Sequence, residues 1–475
     1  MRRSTGAGTA SKDLRESGLS SPGRLLGALI SALMLSGCPA GHGCLLCSPP
    51  TYGLGGTVSG LAGSRLVLQN NGDANDISNI AYAANGTYPD LFGGYAQGTA
   101  YNVTVQTQPT NPSQTCVVAN GTGTLGASGV TNISVTCTTN PARFLYVANG
   151  GSNNISAYTI DTTSGALTTI AGSPFSAGNN PDSINVDPTG QFAFVTNRGD
   201  STISAFTIDR ASGMLAPVSG SPFATGPAPT SIAIDASSSF VYVSSGTAGT
   251  VSAYAITPIT GALTPVTGSP FAAGSVASSV TVDPLNMFVY AANQADGMVS
   301  AFTLNASSGA LTAVSGSPFA TGMDPSSLSV DPSDQYLYVA NTTSNDLSAF
   351  AIQGDTGAIT AISGSPFPTG SGPSSAAVDP LDTFIFVTNQ GSNNVSAYAL
   401  GTGGSLTMLA DSPFAAGGEP SSVSVDPSGS FVYVANASSS DVTVFAVNPT
   451  TGVLSEVNGS PYAAGALPAA IAISD

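Results

Sequence analysis

Residues 325–372 read PSSLSVDPSDQYLYVANTTSNDLSAFAIQGDTGAITAISGSPFPTGSG. Four runs in this stretch have strand character: SSLSV, YLYVAN, DLSAFAI and GAITAIS, separated by DP, SN, DTG and GSP turn signals. The stretch is one copy of a repeat. The Gly of GSPF, or the residue in its place, stands at 172, 220, 268, 316, 364, 411 and 459. Repetition at about 48 residues with four strands per unit is the spacing of a β-propeller blade. Seven units fill 143–475. The first opens on FLYVAN, without an innermost strand of its own, and PAAIAIS at 468–474 is spare. The expected fold is therefore all-β: a ring of seven blades in which the C-terminal strand completes the first and removes two open sheet edges.

The side-chain pattern agrees. Innermost strands alternate, as in Val423 and Val425 against Ser422 and Ser424, whereas FVYVAN at 431–436 is apolar on both faces, as a strand between two blades requires. The strands Tyr146-Val147-Ala148-Asn149, Phe194-Val195-Thr196-Asn197, Phe386-Val387-Thr388-Asn389 and Tyr433-Val434-Ala435-Asn436 carry a further signal, as do the VDPSG turn and the GxL outer strand. With these pieces the chain resembles the lactonase-type seven-bladed propellers, including the YVTN repeat proteins. The resemblance implies a ligand or active site at a channel mouth. It does not by itself imply a reaction, because one fold hosts many functions.

Ahead of the repeats, 1–37 read as a lipoprotein signal peptide. Arg2, Arg3, Lys12 and Arg24 precede the apolar run LLGALISALML at 25–35, too short to span a bilayer comfortably. The run ends in Leu35-Ser36-Gly37-Cys38, which resembles a bacterial lipobox and implies lipid on Cys38. The expected location is the bacterial cell envelope, at the outer membrane or cell surface, with the lipid anchor joining the protein to the membrane. Residues 38–52 are a Gly/Pro-rich tether holding Cys44, Cys47 and His42, the only histidine. Residues 53–140 alternate apolar and polar between NNG, ANG and NGTG turns and predict a small antiparallel β-sandwich. That segment resembles an Ig-like module found in front of repeat domains. Cys116 and Cys137 lie on two of its strands and are expected to form a disulfide in an oxidising compartment.

Composition narrows function. Net charge is −17, with nine Lys plus Arg and 7% charged residues. Such a chain does not bind nucleic acid by charge. It has no Trp, no GxSxG, no HExxH and no phosphate loop, and no metal or cofactor is expected.

An Asp recurs in the turns at Asp187, Asp235, Asp283, Asp331, Asp379 and Asp426, and an Asn ends the second strand at Asn149, Asn197, Asn293, Asn341, Asn389 and Asn436. Identical residues in six units serve the blade rather than one site. A site belongs where the units differ, on the face shared by the loops after the second strand and before the first. The departures there are Asp182, Arg198, Asp200, Asp296, Asp324 and Glu419. Arg198 is either paired locally with Asp200 or free to bind a carboxylate or phosphate.

Sugar-lactone hydrolases of the resembled type are expected to carry a channel-mouth His beside the Pro that opens the innermost strand. Here those triplets read PDS, PTS, ASS, PSS, PSS, PSS and PAA, and the acid expected after the second-strand Asn is missing as well. The sequence thus favours a non-catalytic binding or interaction module for an envelope protein, glycan or polymer. A lactonase-like hydrolase of the 6-phosphogluconolactonase type is the alternative, and a structural envelope protein a third reading.

Overall fold

The computed structural model describes residues 50–73, 76–80, 84–109, 114–140 and 143–474. The signal-peptide reading, Cys38, Cys44, Cys47 and His42 lie outside the described residues.

In the unit quoted above, the strands are Pro325–Val330, Tyr336–Asn341, Asp346–Ile352, and an outer strand in two pieces, Ile359–Ala361 and Phe367–Pro368. Each pairs antiparallel with the next, and both outer pieces pair with Asp346–Ile352. The innermost strands of blades 1 to 7 are Pro468–Ser474, Pro181–Val186, Pro229–Ile234, Ala277–Val282, Pro325–Val330, Pro373–Val378 and Pro420–Val425. Pro468–Ser474 pairs antiparallel with Phe144–Asn149, so the last strand of the chain completes the first blade, as the spare PAAIAIS predicted.

Alternation in the second strand builds the core between blades. Leu337 and Val339 pack with Phe288, Tyr290 and Ala292 of blade 4, while Tyr338 and Ala340 pack with Ala376, Ile385 and Val387 of blade 6. The tyrosine adds a polar bolt. Tyr338 Oη donates to the carbonyl of Gly404 in the next blade at 3.2 Å, and Tyr146, Tyr242 and Tyr290 repeat the bond on Gly213, Gly309 and Gly357.

The GSPF motif is a fastener in every copy. Its Ser accepts a hydrogen bond from the third strand, as Ala349 N to Ser365 Oγ at 2.9 Å, and all seven Ser–Pro bonds are cis. The aromatic that follows packs against the core between blades but is only half-buried. Full burial would make truncation cost about 3–5 kcal/mol. Half-burial of Phe319 lowers the expected loss in Phe319→Ala to about 2 kcal/mol, to be read from the midpoint of denaturant unfolding.

The N-terminal block forms two four-stranded sheets. One runs Gly86–Ala96, Thr51–Ser59, Val130–Thr139, Gln114–Ala119, and the other Ile77–Ile80, Leu66–Asn70, Ala100–Thr107, Thr122–Thr124. Leu54, Val58 and Ile133 of the first meet Leu66, Leu68 and Val103 of the second in one core. The expectation of a wholly antiparallel sandwich is corrected in one place. Thr51–Ser59 pairs with Val130–Thr139 in parallel, a geometry the long intervening chain permits. Cys116 and Cys137 face each other on paired strands and are joined in a disulfide.

Candidate functional site

The repeated polar residues are spent on the fold. Asp331 Oδ1 accepts the amides of Gln335 and Tyr336 at 2.8 and 2.6 Å, closing the turn between the first two strands. The amides bound most closely are thus four and five residues on, with the Oδ2 atoms of Asp187, Asp379 and Asp426 reaching the residue two on. Asn341 Nδ2 donates to Ser348 Oγ at 2.9 Å, and the other second-strand asparagines repeat this on the third strand.

On the loop face, the second residue of five innermost strands builds a series of links around the channel mouth. Thr230 Oγ1 donates to Ala277 O at 2.8 Å, Ser278 Oγ to Pro325 O at 2.6 Å, Ser326 Oγ to Pro373 O at 3.1 Å, Ser374 Oγ to Pro420 O at 2.7 Å and Ser421 Oγ to Pro468 O at 2.7 Å. Each hydroxyl ties its blade to the next. The two remaining positions are Ala469 and Asp182, in adjacent blades. Alanine has no donor, and an ionised carboxylate has none either.

A second ring lies one residue deeper. Ser183, Ser231, Ser279, Ser327, Ser375 and Ser422 each accept an amide N–H from the next blade at 3.2–3.3 Å. Ala470 holds the seventh position. Both rings therefore lapse between the closing strand and blade 2, and the first lapses again between blades 2 and 3.

Arg198 stands at that lapse. It follows the second strand of blade 2, and its backbone N–H donates to Asn180 O at 2.9 Å. Its guanidinium reaches Asp182, Nη1 to Oδ2 3.5 Å, in the one ion pair found among the described residues. Half of the Arg198 side chain and a quarter of the Asp182 side chain remain exposed, at 50% and 25%. Burial pushes the Asp182 carboxyl up to about 6, against the opposing pull of Arg198.

The other candidates do not join this pair. Asp200, expected as the local partner of Arg198, instead accepts from Asn179 N and Nδ2 at 2.6 and 2.7 Å. Asp296 takes the same place in blade 4, accepting Ser275 N at 2.6 Å. Asp324 and Glu419 occupy a left-handed position, φ 55° and 52°, immediately before their innermost strands. Their carbonyls receive Thr342 N and Ala437 N, each at 2.9 Å. The Asp324 carboxylate accepts the Thr343 hydroxyl, and the Glu419 side chain is exposed.

At the opposite end of the innermost strands lies a cavity of about 450 Å³, lined by Asn185, Val186, Ile234, Thr281, Val425 and Ser474 among others. Among the described residues, the only ionisable group on its wall is Asp187, which is spent on its turn. The cavity has room for a ligand, and among the described residues its wall carries no free acid or base.

A further set of acids escaped the sequence reading. Asn286, in a left-handed turn position of blade 4, reaches back to blade 3: its Nδ2 donates to Asp235 Oδ2 at 2.9 Å and its Oδ1 accepts Ala236 N at 2.8 Å. In the next two blades the same position is Asp334 and Asp382, and the residue opposite is Pro284 and Pro332, which have no N–H. Asp283 Oδ2, Asp334 Oδ1 and Asp382 Oδ1 are buried without a hydrogen-bond partner. Burial, with the charges of Asp283 and Asp331, pushes the Asp334 carboxyl far above the usual range. Burial raises Asp283, Asp331 and Asp382 as well. Among the described residues, no three His, Cys, Asp or Glu side chains converge as metal ligands.

Comparison with known proteins places the ring. The sequence profile of the family described as Lactonase, 7-bladed beta-propeller matches residues 104–222, 140–274, 267–372 and 362–468. No curated protein sequence matches the chain. Among solved structures, a periplasmic gluconolactonase of Pseudomonas aeruginosa aligns with TM-score 0.61 and 19% identity, over 70% of this chain and 99% of its own. A protein from Bacteroides uniformis, named only provisionally as a 6-phosphogluconolactonase, aligns with TM-score 0.63 and 17% identity, over 70% of this chain and 100% of its own. A protein from Lactobacillus plantarum gives 0.61 and 21%, over 71% and 100%. At these identities the likeness is one of fold.

Proposed function

Because the chain belongs to the lactonase seven-bladed β-propeller family, we propose that it hydrolyses a lactone at the loop-face mouth, with Asp182 as general base and Arg198 as the oxyanion-stabilising cation. The observation that carries this reading is the Asp182–Arg198 pair at the lapse of the hydroxyl ring. It reverses the preference drawn from the missing histidine. A carboxyl held at about 6 is half-ionised close to neutral pH, where a general base works best. In this scheme the Asp182 carboxylate takes a proton from water as the water oxygen bonds to the lactone carbonyl carbon. The Arg198 guanidinium steadies the negative oxygen that develops. The ring C–O bond then breaks, and its oxygen takes the proton back from Asp182. Lactone and water become one hydroxy acid.

The test is ring opening of a panel of lactones by the full chain, followed by proton release in weak buffer with the uncatalysed rate subtracted. The Asp182→Asn variant is expected to lose about 100-fold or more in kcat/KM, and Arg198→Ala a similar factor. The wild-type rate should rise with pH through about 6, since only the carboxylate acts as base. Hydroxy-acid binding to wild type with no lactone opened would instead support the non-catalytic module, in which the half-exposed Arg198 holds an anion without turnover.

A further inference from the structure

The two ends of the innermost strands use their polar side chains differently. At the loop face, every hydroxyl at the second position is bonded to the next blade. At the opposite end, on the wall of the cavity of about 450 Å³, several polar groups are left over. Asn185, Thr281 and Ser424 are half-buried there. Among the described residues, none bonds to Thr281 Oγ1, Ser424 Oγ or Asn185 Oδ1, and Asn185 Nδ2 has one long contact, to Ile232 O at 3.5 Å. Ser474, on the same wall, is 2% exposed, and its Oγ is buried without a partner. The Tyr146 hydroxyl near it has spent its hydrogen on Gly213 O at 2.8 Å. Polar groups withdrawn from bulk water are paired as a rule, so these four call for a partner inside the cavity.

Their placement has a pattern. Ser424, Ser474 and Asn185 belong to the adjacent blades 7, 1 and 2, and Thr281 to blade 4 across the ring. Between these polar sides the wall is aliphatic, with Ile234 of blade 3 and Val378 of blade 6. None of the first three residues of any innermost strand lines the cavity, so it is separate from Asp182 and Arg198. Its volume falls in the range of small-molecule sites. An anion meets no cation on the described wall and would shed its hydration without return. A cation finds Asp187 already accepting the amides of Gln191 and Phe192 at 2.8 and 2.6 Å. A hydrocarbon leaves the four polar groups unpaired. A neutral molecule with hydroxyls at its edge and C–H groups on its faces satisfies both kinds of wall, since hydroxyl and carboxamide groups each donate and accept.

We propose that this cavity binds a single neutral sugar unit, a hexopyranose either free or at the end of a glycan, through Asn185, Thr281, Ser424 and Ser474. The sugar is held and not cleaved, because the described wall supplies no free acid or base. The site is independent of lactone chemistry at the loop face and stands or falls without it.

The experiment titrates the full chain with D-glucose, D-galactose and cellobiose, followed by ligand-observed NMR. Gluconate serves as the anionic comparison and cyclohexanol as the apolar one. At least one sugar is expected to bind with a dissociation constant of about 1 mM or tighter, and both comparison compounds about tenfold more weakly or worse. Cellobiose bound as well as a monosaccharide marks a glycan end, and its exclusion marks a free sugar. The Thr281→Val, Ser424→Ala double variant should weaken sugar binding about tenfold, whereas Thr281→Ser, which keeps the hydroxyl, should stay within about twofold of wild type. A melting curve like that of wild type shows that the double variant is folded. Sugar binding that the folded double variant leaves unmoved overturns the proposal, as does binding lost instead in Arg198→Ala. Gluconate bound as tightly as the sugars overturns it too, without recourse to any variant. So does the absence of saturable binding by all three sugars.

Discussion

A chain ending at residue 465 will lose the cooperative unfolding transition of the propeller. The segment removed pairs with Phe144–Asn149 through six residues, Pro468 to Asn149 at one end and Ser474 to Phe144 at the other. It also buries Ile471 and Ala472 and carries the acceptor for Ser421, Pro468 O. Without it, Phe144–Asn149 becomes a free innermost edge, and Leu145 and Val147 lose their cover in the core shared with blade 7. The expected loss exceeds about 5 kcal/mol, the low end of the total stability of a domain. Calorimetry should show a broad, low-enthalpy signal in place of one sharp peak. A melting curve unchanged from wild type would show that the ring holds without its latch.

The stability of the ring will fall as pH rises from about 4 to 8, and Asp334→Asn will flatten that slope. Asp334 is 8% exposed and Asp283 1% exposed. Their orphaned oxygens leave one carboxyl no partner but a proton. Asp331, Asp382 and the ring of Tyr290 are the other titratable groups around them, and burial raises every one of these acids. A carboxyl raised in the folded state keeps a proton that the unfolded chain releases near its ordinary value of about 4. Folding is then favoured fully below that value, and the gain is lost as pH climbs toward the folded titration. Asparagine at 334 would supply a permanent N–H donor, as Asn286 does for Asp235. At pH 8 the variant is expected to be more stable than wild type by about 2 kcal/mol, with no gain at pH 4. A Tm that rises with pH in wild type would refute the shared-proton account.

Much of this was legible in the sequence because the chain states it seven times. The blade count, the closing strand and the structural duty of Asp331 or Asn341 follow from repetition, since a residue present in six units must serve the unit. Arg198 stood out for the converse reason. Its partner did not. Asp200 is nearer in sequence, but the loop before the innermost strand folds over it and offers Asn179 as donor, just as Ser275 does for Asp296. Asp182 is brought to Arg198 only by the pairing of the first two strands, which places Pro181 opposite Asn197. The triplets PDS and PAA already marked the lapse in the rings, but a missing hydroxyl reads as a gap only once neighbouring blades are known to be tied by it. The buried acid pair was less legible still. It depends on Pro284 lacking an N–H across the seam, a relation between two blades that no single unit displays.

The divided outer strand limits what the rim of the ring offers to another sheet. With 7% charged residues, it lacks the lysines and glutamates that usually keep sheet edges apart. Geometry does that work instead. Each blade offers its surroundings a strand of three residues, then a turn through proline, then a strand of two, as in Ile359–Ala361 and Phe367–Pro368. A neighbouring chain seeking to extend the sheet meets no longer run before the backbone turns away. The same motif that fastens each blade divides the rim seven times, so changes that straighten GSPF are expected to cost solubility before they cost the fold.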